Sequence, residues 1–161
     1  MNIRRAESGD LAQIVQIESL CFPEEAAFPP RMFAYLTEYA VCLVACQPEK
    51  KVLGFIMGYA SGKAGAVYTL DVHPQYRRMG IGSSLISSLE EKLKRLGAET
   101  VRLEAAVERP EAIELIIRQA TGIESWSETI TERASMPSGC ARLFSLLPKQ
   151  ISGHTLSFKR E

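Results

Sequence analysis

Neither sign of charge dominates this chain: nineteen lysines and arginines meet nineteen aspartates and glutamates, so the formal net charge is zero. A protein that grips nucleic acid through a broad basic field needs a clustered excess of Lys and Arg, and that excess is lacking. There are only two histidines and four cysteines, and no two cysteines stand in the CxxC spacing of a zinc or redox site. Cys42 and Cys46 lie in the apolar run VCLVAC, where they read as small buried hydrophobes. Such cysteines fit a reducing, cytoplasmic setting, and no metal site is expected. No apolar stretch approaches the roughly 20 residues of a membrane span. The opening Met1-Asn2-Ile3-Arg4-Arg5 is not that of a secretory signal. What is present, 46% hydrophobic and 24% charged residues over 161 positions, suffices for one folded domain with a real core and argues against disorder.

The order of elements points to an α/β domain. A strand-like stub near Arg4 leads to a helix for which Ser8 and Asp10 are candidate N-caps, with Leu11, Ile14, Val15 and Phe22 at helical spacing. The linker FPEEAAFPP ends that helix, and Pro29 and Pro30 suit the first turn of a second one reaching Tyr39. Val41–Cys46 and Val52–Ala60 read as strands around the polar turn QPEKK. Gly54 and Gly58 inside the second strand predict a bulge or a close backbone approach. Val67–Val72 alternates, with Tyr68, Leu70 and Val72 on one face and Val67, Thr69 and Asp71 on the other. An amphipathic helix follows from about Gly82, its stripe Leu85, Leu89, Leu93 and Leu96, with Gly97 as terminator. Thr100–Ala105 reads as another strand, and 111–115 as the start of a helix. Strands followed by a strand–loop–helix–strand unit predict a mixed, mostly antiparallel sheet flanked by helices.

The chemically informative stretch is YTLDVHPQYRRMGIGSSL, residues 68–85: a strand, a loop with two arginines and two glycines, and a helix start. Gly80 and Gly82 let the backbone come close to a ligand and turn its N–H groups outward. The helix start adds unpaired N–H donors and a positive dipole end. Arg77 and Arg78 add charge, and together these make a cradle for a pyrophosphate. Two other readings stand beside it. The loop could be a tight turn with no ligand. It could be a dinucleotide-binding turn, although Leu85 stands where that fingerprint has its third glycine and no acidic ribose partner follows.

Arg77-x-x-Gly80-x-Gly82, preceded by a strand and by V-H-P-x-Y-R, resembles the acetyl-CoA pyrophosphate loop of the GNAT N-acetyltransferase superfamily. The resemblance spans residues 2–115. It includes the I-R-x-A…D-L…I-E…C-F opening from Ile3 to Phe22, the strand Val52–Ile56 and the L-E-x…A-I-x-L pattern from Leu103 to Leu115. Within the superfamily it is most similar to the ribosomal-protein alanine N-acetyltransferases. The run Cys21–Ala27 also resembles arylalkylamine N-acetyltransferases, which leaves the acceptor amine open. The resemblance implies that acetyl-CoA is the co-substrate. Its pantetheine would lie beside Leu70, Asp71 and Val72 as an extra strand, and its pyrophosphate on Arg78, Met79, Gly80, Ile81, Gly82 and Ser83, with Arg77 and Arg78 adding charge. It places Glu104 as general base for the acceptor amine, which must lose a proton before it attacks the thioester. On pattern alone Glu104 is equally a solvated carboxylate on an edge strand. The implied partners are acetyl-CoA and a peptide or protein N-terminus, a ribosomal protein among the candidates. Arg109 departs from the family pattern, which has a cofactor-contacting asparagine there.

The larger departure follows Leu115. The family pattern continues L-Y-x-x-x-G-(F/Y), eight residues, then Y-Y, its first tyrosine protonating the departing thiolate. This chain continues IIRQATGIESWSETITERASMPSGC. Serine and threonine number 10 in residues 1–115 but 11 in residues 116–161, counted along the sequence. Joining the third base of each codon to the first two of the next, from the Leu115/Ile116 junction, permits L-Y-Y-S-A-G-Y, eight residues, and Y-Y-G. The expectation is a GNAT domain over 1–115 and an out-of-frame tail over 116–161, with the C-terminal part of the sheet missing or atypical. Trp126, Phe144, Leu146, Leu147 and Phe158 keep no sustained period there, and Cys140 and His154 read as bystanders.

Overall fold

The computed structural model describes residues 1–24, 27–106, 126–131, 141–142 and 155–157. Four strands, β1 (Asn2–Arg5), β2 (Val41–Cys46), β3 (Val52–Ser61) and β4 (Ala64–Val72), form an antiparallel meander in chain order. β5 (Thr100–Ala106) then joins β4 in parallel. Helices α1 (Leu11–Cys21) and α2 (Pro30–Tyr39) lie between β1 and β2, and α3 (Ile81–Arg95) crosses from β4 to β5. None of the described helices is long and apolar enough to cross a membrane.

The sheet separates two cores. On one face α3 brings Ile81, Leu85, Ile86, Leu89 and Leu93 against Leu43, Leu53, Ile56, Val67, Leu70 and Val72. On the other, α1 and α2 bring Ile14, Ile17, Cys21, Phe33 and Leu36 against Cys42, Val44, Phe55 and Met57. Phe33 is central to that second layer, packed edge-to-face against Phe28 at 5.9 Å and Phe55 at 5.8 Å. Burying each such ring contributes about 2–3 kcal/mol. The Cys42 thiol is buried there, and desolvation pushes its pKa up to about 12, so it packs as a hydrophobe.

Local details explain where the elements begin and end. Asp10 caps no N–H of α1 with its side chain. It instead accepts from the Glu7 N–H at 2.8 Å and from the Arg4 guanidinium at 2.6 and 2.9 Å, tying β1 to the α1 start. The Arg4 hydrogen bonds hold the Asp10 carboxyl below the usual carboxylate range. Leu96, expected in the α3 stripe, is 60% exposed. The chain leaves the helix at that residue and reverses through Gly97 at φ +96°, so Ala98 takes the buried place. Gly54 and Gly58 sit where the backbone approach is close: a Cβ would meet the Asp71 carbonyl oxygen and the Ala66 carbonyl oxygen, each at 2.7 Å.

The alternation expected for β4 is corrected by a bulge. Met57 pairs with Thr69 and Gly58 with Val67, so Tyr68 is the extra residue. Val67, Leu70 and Val72 face α3, whereas Tyr68 packs against the α1/α2 core and stacks on Tyr59 at 5.0 Å. Beyond β5 three further short strands are described. β6 (Trp126–Thr131) pairs in parallel with β5, β8 (Thr155–Ser157) is antiparallel to β6, and β7 (Ala141–Arg142) pairs with β4 at Thr69 and Leu70. The helix expected from 111 to 115 lies outside the described residues, as do Arg109, Cys140, Phe144, Leu146, Leu147, His154 and Phe158.

Candidate active site

The site follows from two strands that part. β4 and β5 pair only through Ala64–Ala66 and Thr100–Arg102, yet β4 runs on to Val72 and β5 to Ala106. Parallel strands that cease to pair leave backbone N–H and C=O groups facing a wedge, and such groups seek a strand-like partner. Leu70, Asp71 and Val72 lie on the parted half of β4. The chain's own β7 pairs with its Thr69 and Leu70, so this edge accepts an added strand. Glu104 lies on the parted half of β5, with Thr129 of β6 as its register partner.

At the end of β4 the backbone turns through Pro74–Tyr76 into a loop of special geometry. Arg78 has φ +65° and Gly80 φ +77°, both in the left-handed region, with Met79 between them and 67% exposed. Gly80 is the N-cap of α3, and the first intrahelical bond there runs from the Ser84 N–H to the Gly80 carbonyl at 3.1 Å. The N–H groups of Ile81, Gly82 and Ser83 therefore precede the helical ladder. Alternating left-handed residues followed by a 15-residue helix make a concave set of N–H donors at a positive dipole end. Gly80, as the N-cap, has no side chain with which to cap these groups. Ile81, 3% exposed, anchors the first turn in the α3 core.

The two arginines of the loop part company. Arg78 is exposed beside the N–H cradle. Arg77 instead turns back to the strand, its Nε donating to the Val72 carbonyl at 3.2 Å and its Nη2 to Cys21 Sγ at 3.3 Å. His73, at the end of β4, accepts from the Gln75 N–H through Nδ1 at 3.3 Å, and burial lowers its pKa, favouring the neutral ring. On the α1/α2 face below the wedge, Thr69 donates to Asp71 Oδ2 at 2.7 Å, and both side chains are fully buried.

Sequence reasoning missed Glu18. It is 1% exposed on α1 and accepts from the Phe28 N–H at 2.8 Å, so it holds the chain entering α2. Its signal was available: Glu18 falls in helical phase with Ile14 and Cys21, a carboxylate where the pattern calls for an apolar side chain. Among the described residues no three His, Cys, Asp or Glu side chains gather to hold a metal.

This geometry has counterparts. The family described as Acetyltransferase (GNAT) matches residues 11–120. An N-alpha-acetyltransferase of Sulfurisphaera tokodaii is 33% identical over 127 residues, 70% of this chain and 75% of that protein. The Escherichia coli ribosomal-protein-S18-alanine N-acetyltransferase superposes with a TM-score of 0.63 at 23% identity, over 73% of this chain and 74% of that one. An aminoglycoside 6'-N-acetyltransferase solved in complex with coenzyme A does so with a TM-score of 0.54 at 20% identity, over 59% and 56%.

Proposed function

Because this chain belongs to the GNAT acetyltransferase family, we propose that it transfers acetyl from acetyl-CoA to an amine, most specifically the α-amine of a protein N-terminus. The observation that carries this reading is the N-terminus of α3 behind two left-handed residues, Arg78 and Gly80, at the mouth of the β4/β5 wedge. A pyrophosphate fits such a donor set because its oxygens take several N–H bonds at once while the helix dipole favours its charge. The acyl-bearing pantetheine arm then lies along Leu70, Asp71 and Val72, displacing the short β7 pairing. This brings the thioester to the parted half of β4, opposite Glu104 on β5.

Glu104 is assigned the role of general base. Near neutral pH an N-terminal amine is largely protonated, and the attacking form needs its lone pair. Glu104 accepts that proton and the amine nitrogen bonds to the thioester carbon; the C–S bond then breaks as the nitrogen gives up its second proton, which solvent passes to the departing sulfur, leaving the amide and CoA thiol. Direct attack in a ternary complex is favoured because no cysteine stands at a motif position for a covalent acetyl carrier. The N-alpha-acetyltransferase relative supports the N-terminal α-amine as acceptor. The fold shared with the S18-alanine enzyme is in keeping with a ribosomal-protein N-terminus.

Isothermal titration of CoA, together with CoA release assayed on peptides of varied N-terminus, tests the assignment. Glu104→Gln should lower kcat by about 10²–10⁴ with CoA affinity retained. If CoA binds and no peptide or small amine is acetylated, the chain is a CoA-binding remnant. One feature favours that second reading: Leu115 is followed by Ile116, not by the tyrosine that would protonate the thiolate. We assign residues 116–161 to a shifted reading frame, and the nucleotide sequence at codon 115 decides it. A gene with the frame restored should recover turnover.

A further inference from the structure

Three chain segments meet at the guanidinium of Arg77. Cys21 is the last residue of α1 and is fully buried, and Val72 is the last residue of β4. Arg77 Nε donates to the Val72 carbonyl at 3.2 Å, Arg77 Nη2 donates to Cys21 Sγ at 3.3 Å, and the Cys21 thiol lies 3.6 Å from the same carbonyl oxygen. A planar fork suits this task, since it fixes two donors in one plane at once. Both acceptors belong to α1 and β4, the two elements that flank the loop, while Arg78 is exposed.

We propose that Arg77 is a positioning residue that fastens the end of α1 to the start of the phosphate loop, and so couples the acetyl-CoA site to the entry of α2. The inference rests on the acetyltransferase reading for its cofactor, but not for the clasp itself. Two anchors stand one turn apart on α1. Cys21 is held by Arg77 at the cofactor loop, while Glu18 holds the Phe28 N–H at the entry to α2. Cofactor that orders the loop from Arg78 onward therefore also orders the end of α1 and, through it, the entry to α2. A contact made to the pyrophosphate alone would have no such reach.

Hydrogen exchange on the full chain reads the coupling without needing turnover. In the ligand-free protein Arg77→Ala should speed exchange about ten-fold in both 78–84 and 18–23, the order expected for losing a charge-assisted bond. CoA should slow both segments in the wild type and only 78–84 in the variant. Arg77→Lys keeps the charge without the fork and should behave like Arg77→Ala. Acetyl-pantetheine, which lacks the pyrophosphate, supplies a second arm: its KM should rise in Arg77→Ala together with that of acetyl-CoA. Exchange in 18–23 that stays at the wild-type rate in Arg77→Ala overturns the clasp, as does a KM effect limited to acetyl-CoA. Should that variant fail to fold, Cys21→Ala removes one acceptor and must loosen 78–84, or the proposal is wrong. A wild type that binds no CoA would refute the acetyltransferase reading, while the ligand-free exchange would still decide the clasp.

Discussion

Asp10 shows how one side chain can do work that the sequence assigns to it for a different reason. By position it is a candidate helix cap, yet it is the buried acceptor of Arg4 and of the Glu7 N–H. Its carboxyl is held below the ordinary range chiefly by the Arg4 hydrogen bonds. A carboxylate with a depressed folded pKa contributes stability that is complete above its unfolded value of about 3.9 and lost as pH falls toward the folded one. Asp10→Asn should therefore cost about 2 kcal/mol near pH 7, with a difference from wild type that closes below about pH 4. Denaturant melts across pH measure it, and a pH-independent difference would remove the ion pair as the cause. Gly80 is legible in the same way. Its φ of +77° suits glycine, and a methyl group added there would meet no atom within 4 Å, so the cost of Gly80→Ala is conformational, about 1 kcal/mol. CoA titration should show weakened binding by that variant with little change in fold.

At the scale of elements, the helices were easier to read than the strands' faces. α2 begins at Pro30 and ends at Tyr39 as its prolines and spacing predict, because proline fixes φ at the first turn whatever surrounds it. The faces of β4 were not readable, because a bulge is a property of a strand pair: the register slip opposite Met57 and Gly58 turns Tyr68 to the α1/α2 side. Gly58 makes that slip tolerable, with the Ala66 carbonyl oxygen at 2.7 Å and Leu89 Cδ2 at 2.9 Å from a Cβ position. Gly58→Val should cost about 1–3 kcal/mol by overpacking against α3, read as a lowered thermal midpoint. Shortening the neighbour in Leu89→Ala should relieve part of that cost in the double variant, and strict additivity of the two losses would argue against the contact.

Across the whole molecule, the wedge between β4 and β5 is the feature that turns a sheet into a site, and it joins elements far apart in sequence. A ligand that fills it and binds only the folded state stabilises that state by mass action. At a hundred times its Kd, CoA should add about 2.7 kcal/mol, which for a chain of this size is roughly 5–10 °C in the thermal midpoint. Scanning calorimetry checks this. NAD or ATP raising the midpoint where CoA does not would favour a nucleotide-binding module instead.

The sequence by itself determined the order of elements from β1 to β5, the neutral charge that speaks against a nucleic-acid field, and the loop from Arg77 to Ser83. Those properties are local: proline and glycine dihedrals, helical phase and the donors of a helix start need no distant partner. Only the tertiary structure decided which face Tyr68 takes, that Glu18 holds the entry to α2, and that Arg77 turns inward to Cys21 and Val72 while Arg78 stays out. Each of these depends on which segments share a contact, and pairing geometry and burial exist only once the chain has closed upon itself.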